Sequence, residues 1–226
     1  MSRLARSSIT LVVGLLIYLG LPLIGWGVAD AQGFLSHPAR LAYVTLVLVL
    51  HGYVVLSDPG VGRDRGAGKV MVQRQRWAVL LLQVLTLAVL LAAPYSDHRG
   101  VLVLRESAWV RYLGLAMFGS GFLVMNWAEA TLGRHFSIQV TVQEDHRLVT
   151  SGPYRFIRHP RYLGILLYNF GLAFAFRSGP ALMLVAALAL VLFWRIHDEE
   201  ALMHQEFGAE WEGYARRTWR LVPFLF

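Results

Sequence analysis

Long apolar stretches separated by short polar segments dominate the chain. Six of them contain no Asp, Glu, Lys or Arg: residues 7–29, 41–57, 77–96, 112–128, 162–176 and 178–194. An α-helix needs roughly 20 mostly apolar residues to cross a bilayer, with a range of about 17–25. Most of the stretches approach or meet that length, and the short one at 162–176 can be extended at its ends. The pattern predicts an all-α integral membrane protein with about six transmembrane helices.

Two polar segments interrupt this pattern in the second half of the chain. Residues 148–162 (LVTSGPYRFIRHPRY) hold four basic or imidazole side chains and two tyrosines, and residues 195–200 (RIHDEE) follow the last apolar stretch. Polar groups at this density beside lipid are costly unless they serve a site. The two segments are therefore the candidate location of the chemistry.

Basic residues divide unevenly between the two sides of the predicted bundle. Of the 21 Lys and Arg residues, 16 lie near the termini or in the connections after the second and fourth stretches. The others are Arg40, Arg99, Arg105, Arg111 and Arg177. By the positive-inside rule, both termini and both polar segments face the cytoplasm. The net charge of +7 follows this loop topology, so it does not indicate a partnership with nucleic acid.

Composition and spacing exclude several other kinds of chemistry. The chain has no cysteine, which excludes disulfides, thiolate metal ligands and a cysteine nucleophile. No metal site is predicted, and the glycines of residues 58–68 lack the spacing of a nucleotide-binding loop. The first apolar stretch is longer than the core of a signal peptide, about 7–15 residues, so we expect a retained helix. His51, alone within the second stretch, is interpreted as a packing residue.

The segment between the fourth and fifth stretches is too polar to cross a membrane and too long for a simple connection. Thr141 and its neighbours have strand-like composition, but a lone strand is not expected. Ser151-Gly152-Pro153 predicts a tight turn. Pro160 suits the first turn of a helix, which places His159 at a helix N-terminus, where free N–H groups attract an anion. Glu129, near the end of the fourth stretch, either lines a cavity or is an interfacial carboxylate.

A second turn, Ser178-Gly179-Pro180, predicts that the last two apolar stretches form an antiparallel hairpin. The hairpin returns the chain to the side of the membrane on which the fifth stretch begins. Arg195 and His159 are therefore expected at similar depths in the membrane. Arg195 and Glu199 are four residues apart and share one face of a helix. They form either a local ion pair or part of a binding face, and the polar segment opposite favours the binding face. An amphipathic helix is expected from Glu200 onwards.

Two linked motifs in this half of the chain resemble the isoprenylcysteine carboxyl methyltransferase family and its phospholipid methyltransferase relatives. The first consists of Gln139, residues 146–149 (HRLV) and residues 152–164 (GPYRFIRHPRYLG). The second consists of Arg195-x-x-x-Glu199-Glu200, Phe207-Gly208, Tyr214, Arg217 and Pro223. The resemblance covers about residues 134–223. We therefore divide the chain into four transmembrane helices at 1–130 and a methyltransferase region at 131–226, with a cytoplasmic loop, a helical hairpin at 160–195 and a C-terminal amphipathic helix.

The resemblance implies a site for S-adenosyl-L-methionine at the cytoplasmic end of the bundle, with S-adenosyl-L-homocysteine as product. The cofactor contacts that it implies are Gln139, His146, Arg147, Leu148, Val149, Tyr154, His159, Pro160, Arg161, Tyr162 and Glu199. Arg195 would face the acceptor, so Arg195, Glu199 and His159 are the candidate catalytic residues. Trp211 stands where the family often has tyrosine.

These residue types suit the chemistry of methyl transfer. The donor is a sulfonium cation that also carries a carboxylate. The rings of Tyr154 and Tyr162 can face the cation, and His159 with its helix N-terminus can hold the carboxylate. Glu199 can accept hydrogen bonds from the donor. A carboxylate acceptor is ionised at pH 7 and needs no base, and Arg195 can bind it through two hydrogen bonds.

The bilayer location implies a lipidic or hydrophobic acceptor. The sequence shows no residue dedicated to deprotonating a thiol or an amine, which favours a carboxylate as the acceptor group. Other enzymatic hypotheses are a small-thiol or phospholipid amine methyltransferase and an NADPH-dependent sterol-type reductase. A lipid-binding or transport protein is the non-enzyme hypothesis, although transporters tend to place polar residues near the bilayer midplane in two related halves. The arginine-rich composition suggests a bacterial cytoplasmic membrane, where prenylated proteins are not expected, so the acceptor stays open.

Overall fold

The chain folds into a helical bundle with a small two-stranded ribbon at one end. The computed structural model describes residues 9, 11–57, 68–71, 75–133, 141–143 and 148–224. The α-helices are α1 (Leu11–Trp26), α2 (Ala31–Ser36), α3 (Pro38–Ser57), α4 (Gln75–Arg99), α5 (Ala108–Leu132), α6 (Pro160–Ala175), α7 (Gly179–Phe207) and α8 (Ala209–Ala215). Within α1, Leu16–Gly20 is π-helical, and 3₁₀ turns cover Val28–Asp30 and Gly152–Arg155.

Within the described residues, four helices are long and apolar enough to cross a membrane: α3, α4, α5 and α7. Helix α1 and the segment Val28–Ser36 pass the same test together, but they meet at a bend of 96°. Gly27 lies at this bend with a φ of 119°, a backbone conformation that is unfavourable for residues with a Cβ atom. Helix α6 has 16 residues and is about 24 Å long, which is shorter than the hydrocarbon core of about 30 Å. The helical membrane architecture is confirmed, whereas the count of six spans stays a prediction.

A short antiparallel ribbon pairs β1 (Gly68–Met71) with β2 (Thr141–Gln143). A lone strand at Thr141 was not expected from the sequence, and the strand found there is paired; its partner was not predicted. The partner strand comes from the connection between α3 and α4, whose glycines and charges indicate only a loop. The ribbon joins this connection to the one between α5 and α6, so both lie at the same end of the bundle.

Helices α5 and α6 pack closely through glycines placed two turns apart on each helix. A Cβ atom added to Gly164 would lie 2.7 Å from Gly121 O, and one added to Gly171 would lie 2.6 Å from Gly114 O. Small residues allow helix backbones to approach in this way within a membrane. The contact fixes α6, and with it the polar segment that precedes α6, against the rest of the bundle.

Two clusters of buried apolar side chains fill the bundle. The larger cluster includes aromatic contacts among Tyr43, Phe118, Tyr168 and Phe176. The smaller cluster combines Tyr162, Leu188, Leu192, Ile196 and Leu221. His51 packs beside the larger cluster, with its Nδ1 atom 2.9 Å from Val47 O and its ring 5.1 Å from that of Tyr18. This placement agrees with the interpretation of His51 as a packing residue.

A buried carboxylate holds together the end of the bundle that lies opposite the two polar segments. Asp97 accepts two hydrogen bonds from Arg111, at 2.8 and 2.9 Å, and another from Arg177 at 2.8 Å. Arg40 lies 3.5 Å from the same carboxylate. We name these four residues the Asp97 cluster. From the sequence, the three arginines are loop charges, and their shared partner was not predicted.

The C-terminal helices begin and end differently from the prediction. Helix α7 continues without a break to Phe207, where Gly208 ends it with φ of 48°. The amphipathic pattern expected from Glu200 onwards is therefore formed by the last two turns of α7 and by the short helix α8. Apolar spacing continues unchanged across this region, so the pattern alone does not show where one helix stops.

Candidate active site

The turn between α6 and α7 brings the two polar segments to the same end of the bundle. Ser178 caps α7, since its hydroxyl oxygen accepts a hydrogen bond from Ala181 N–H at 3.1 Å. At the other end of the hairpin, Arg195 Nε donates to Tyr162 OH at 2.7 Å. The proximity inferred from the hairpin geometry is therefore present in the structure.

Tyr162 bridges Arg195 and Glu199. Its hydroxyl accepts the bond from Arg195 and donates to Glu199 Oε2 at 2.5 Å. Arg195 is 3% exposed and Tyr162 is 5% exposed, so both polar groups are shielded from water. The sequence left open a direct ion pair between Arg195 and Glu199, and the structure instead joins them through the tyrosine. We name these three residues the tyrosine bridge.

Gln75 and Asp198 support Arg195 from another direction. Gln75 Nε2 donates to Asp198 Oδ2 at 2.5 Å, and Gln75 Oε1 lies 3.5 Å from Arg195 Nη1. All three residues are buried, where a charge is stable only if partners surround it. Sequence reasoning missed both supports. Asp198 could have been found from its spacing of three residues from Arg195 on one helix, whereas no local signal connects Gln75 with this site.

Glu200 gathers three basic groups on an adjacent face of α7. Its Oε1 atom accepts a bond from Arg158 Nε at 2.8 Å and lies 3.2 Å from His159 Nε2. Its Oε2 atom lies 2.8 Å from Arg220 Nη2. Because a carboxylate only accepts, His159 Nε2 carries the hydrogen in this contact. We name these residues the Glu200 cluster. The family motif included Glu200, but the sequence analysis gave it no role.

The segment after α8 runs along the residues that lead into α6. Trp219 N–H donates to Phe156 O at 2.9 Å, and Trp219 O accepts from Arg158 N–H at 2.8 Å. Arg220 O accepts from His159 N–H at 3.2 Å. We call residues 216–222 the C-terminal strap. The strap covers one side of the polar segment that the sequence identified as the candidate site.

Helix α6 begins at Pro160 with His159 in the N-cap position, as predicted. The His159 ring stacks on that of Tyr162, with centroids 5.5 Å apart and planes at 8°. The anion site expected at this N-terminus has fewer N–H groups than the sequence suggested. Pro160 carries none, Tyr162 N–H donates to His159 O at 3.1 Å, and the His159 N–H is bonded to the strap.

Two further predicted contacts, Arg161 and Tyr154, lie at the edges of the site. Arg161 Nε donates to Glu129 Oε1 at 2.7 Å, so Glu129 is paired with the first turn of α6. Tyr154 is buried in the 3₁₀ turn, and its carbonyl accepts a bond from Tyr214 OH at 2.8 Å. Burial raises the pKa of Tyr154, and the neighbouring Glu199 carboxylate raises it further. Tyr154 is therefore a neutral aromatic group close to the tyrosine bridge.

The remaining predicted cofactor residues precede the 3₁₀ turn in the chain. Leu148 and Val149 are half-buried in irregular backbone shortly before the 3₁₀ turn. Gln139, His146 and Arg147 lie outside the residues that the structure describes.

The fold and the site together define an integral membrane protein with a buried polar network at one end of its helices. The sequence model of the isoprenylcysteine carboxyl methyltransferase family matches residues 112–205, which include α6 and the charged residues of α7. The probable protein-S-isoprenylcysteine O-methyltransferase of Oryza sativa subsp. indica is 29% identical over 192 residues, covering 81% of this chain and 95% of the relative. Protein-S-isoprenylcysteine O-methyltransferase A of Arabidopsis thaliana is 34% identical over 126 residues, covering 54% and 64%.

A solved structure of the eukaryotic intramembrane Ras methyltransferase ICMT shares the fold. It aligns with a TM-score of 0.56 and 19% identity, over 98% of this chain and 75% of that chain. The protein is therefore a membrane-embedded methyltransferase. Its sequence is similar to the isoprenylcysteine carboxyl methyltransferase family over the region that contains the two linked motifs. The hypotheses of a reductase and of a transport protein are set aside.

Proposed function

We propose that the enzyme transfers a methyl group from S-adenosylmethionine to a carboxylate on a lipidic or hydrophobic acceptor, as the names of its relatives suggest. The main support for this proposal is the tyrosine bridge. In it, Tyr162 lies between the buried guanidinium of Arg195 and the carboxylate of Glu199, both on α7. A methyl donor that is a cation and an acceptor that is an anion need opposite charges close together, and Glu199 and Arg195 supply them.

We assign the donor to the side of the site formed by Glu199, Tyr154 and His159. Glu199 suits the ammonium group or the ribose hydroxyls of the donor, and His159 suits its carboxylate. The Tyr162 ring already has His159 stacked on it and the Arg195 guanidinium 5.8 Å from its centroid. We therefore assign the sulfonium to the Tyr154 ring. The other donor contacts carried over from the family motif are Gln139, His146, Arg147, Leu148, Val149, Pro160 and Arg161.

We assign the acceptor carboxylate to the outer edge of the Arg195 guanidinium. Its Nε atom donates to Tyr162, and its Nη1 atom lies 3.5 Å from Gln75 Oε1. A carboxylate is a stronger partner for a guanidinium than a neutral amide, so it can compete for the Nη side of the group. The reaction then needs no base, because positioning an ionised nucleophile in line with the sulfonium lowers the barrier.

We further propose six spans with both termini and the active site on the cytoplasmic side, counting α6 and the bent pair as spans. The basic residues support this orientation. Exposed aromatic residues mark both ends of the bundle, as expected at membrane interfaces. Trp77, Trp127 and Trp194 lie towards the site, and Tyr95, Trp109 and Tyr112 lie towards the opposite end.

Transfer of a labelled methyl group by the purified protein tests the acceptor class. The panel consists of an N-acetylated cysteine with a farnesyl thioether, its carboxamide, a long-chain fatty acid, phosphatidylethanolamine and a small thiol. We expect label only in acceptors with a free carboxylate, and release of that label by mild base, because methyl esters hydrolyse to methanol. Transfer to the amine or the thiol, with none to either carboxylate, would refute the proposal.

Binding of the product tests the donor separately from the acceptor. S-adenosylhomocysteine should raise the melting temperature of the protein through mass action, by about 2.7 kcal/mol of stability at 100 times its Kd. Differential scanning fluorimetry in a detergent that keeps the protein monodisperse gives the measurement, with adenosine as the control ligand. An unchanged melting temperature at millimolar product would contradict the donor assignment.

A further inference from the structure

We propose that Glu200 is a positioning residue that couples the C-terminal strap to the donor side of the site. This inference rests on the proposed donor site. Glu200 is adjacent to Glu199 in sequence, yet both of its oxygens are engaged by protein groups. It acts through His159 and the strap, whereas Glu199 is assigned to the donor itself.

The Glu200 cluster is strongly held. The carboxylate is 13% exposed and Arg158 is 10% exposed, so water screens their attraction only weakly. Hydrogen bonds between charged groups are roughly twice as strong as neutral ones. Arg158 Nη1 also donates to Ala215 O at 2.8 Å and to the carbonyl of Thr218. One arginine therefore connects α7, the residues before α6, and the start of the strap.

The strap is fixed at three levels. Backbone hydrogen bonds join residues 219–220 to residues 156–159. The Arg220 side chain reaches Glu200. Leu221, 1% exposed, packs in the same apolar cluster as Tyr162 and Ile196. Displacement of the strap would therefore disturb both the His159 backbone and the packing around Tyr162.

His159 transmits this coupling to the donor. Its N–H is bonded to the strap, its Nε2 is bonded to Glu200, and its ring stacks on Tyr162. Three constraints of this kind fix the ring in one orientation. Without the negative charge of Glu200, Arg158 and Arg220 lose the carboxylate that they share, and the attraction that holds the strap against α7 is lost.

The experiment compares Glu200→Gln and Arg220→Gln with two matched controls. Glu206→Gln changes an exposed carboxylate on the same helix, and Arg217→Gln changes an exposed arginine whose Nε donates to Gly213 O. Affinity for S-adenosylhomocysteine is measured by isothermal titration, and KM for donor and acceptor is measured separately from kcat. The rate of chymotrypsin cleavage after Trp219 reports opening of the strap, because none of the four variants removes that site.

We expect Glu200→Gln and Arg220→Gln to weaken product affinity and raise donor KM at least tenfold, with acceptor KM and kcat at saturating donor close to wild type. Strap cleavage should accelerate in both variants, and S-adenosylhomocysteine should slow it in the wild type. Both controls should behave as wild type. A general loss of structure would instead change the two KM values and kcat together.

Wild-type product affinity and cleavage rate in Glu200→Gln would overturn the inference, and so would a change confined to the acceptor. If Glu200→Gln does not fold, Arg220→Gln decides, because Arg220 is 39% exposed and its loss leaves the Arg158 contact in place. Failure of the wild type to bind S-adenosylhomocysteine would refute the proposed function itself, and the cleavage rates would then still show whether Glu200 holds the strap.

Discussion

Tyr162 lies between two charges that would otherwise be neighbours on one helix. An arginine and a glutamate four residues apart in this order attract each other by a few tenths of a kcal/mol at best. In the structure both are bonded to the tyrosine hydroxyl, at 2.7 and 2.5 Å. The arrangement keeps the cation and the carboxylate in fixed positions, so each can serve a different ligand.

Substitutions in the tyrosine bridge should therefore separate donor binding from methyl transfer. Glu199→Gln should weaken the affinity for S-adenosylhomocysteine. Arg195→Ala should leave that affinity nearly unchanged and reduce methyl transfer more than tenfold, about 1.4 kcal/mol. Arg195→Lys should rescue activity only in part, because a point charge does not reproduce a guanidinium fork. Product affinity and turnover are measured on the same preparations.

Glu206→Gln is the matched control, since it removes an exposed carboxylate from the same helix. Equal loss of product affinity in Arg195→Ala and Glu199→Gln would contradict the division of roles. Wild-type turnover in Arg195→Ala would remove Arg195 from the mechanism.

Individual residues were predictable from the sequence where they belong to a local motif. Arg195, Glu199 and His159 stand in polar runs beside apolar stretches, and those runs make them candidates. The contributions of Gln75 and Arg220 were not predictable, because each reaches the site from a distant segment. Only the packing of the helices and of the strap brings those segments together.

At the scale of helices, the contact between α5 and α6 decides where the site is built. Helix α6 is too short to be positioned by its own span of the membrane. Glycines let its backbone approach that of α5, so its first turn is held at a fixed depth. The sequence displays these glycines, but one sequence does not show which of them face another helix.

Gly171→Ala should destabilise the protein by about 1–3 kcal/mol, because the added methyl group meets backbone atoms that cannot move aside. A Cβ atom there would lie 2.6 Å from Gly114 O and 2.7 Å from Phe118 Cα. Thermal unfolding in a defined detergent measures the change. Gly52→Ala is the control, since no atom lies within 4 Å of its added Cβ. Equal melting temperatures for both variants would show that the glycine contact is not required.

At the scale of the whole molecule, the lengths of the apolar stretches predicted the helical membrane architecture, and the distribution of arginines predicts an orientation. Both follow from the bilayer, which demands apolar helices and sorts basic loops to one side. The bend at Gly27 and the pairing of β1 with β2 were not predicted. They depend on contacts between segments that carry no periodic signal of their own.

Single cysteines can test the orientation, because the chain contains none. Thr150→Cys and Glu206→Cys, both at exposed positions on the site side, should resist an impermeant maleimide in intact cells and react after the membrane is opened. Arg105→Cys, exposed at the opposite end, should react in intact cells. Labelling of Thr150→Cys from outside would invert the proposed topology.

The Asp97 cluster has a consequence for the order in which the protein is assembled during synthesis. Its members come from four separate regions, and Arg177, in the turn between the last two helices, is translated last. Arg111 also donates to Ala175 O, at the end of α6, so it too waits for that hairpin. The far end of the bundle can therefore be completed only after α6 has been made, whereas Arg195, Glu199 and the C-terminal strap are translated later still. A chain that stops before residue 177 leaves Asp97 without one of its arginines, whereas a chain that stops shortly after residue 177 holds the whole cluster and still lacks the candidate site residues of α7.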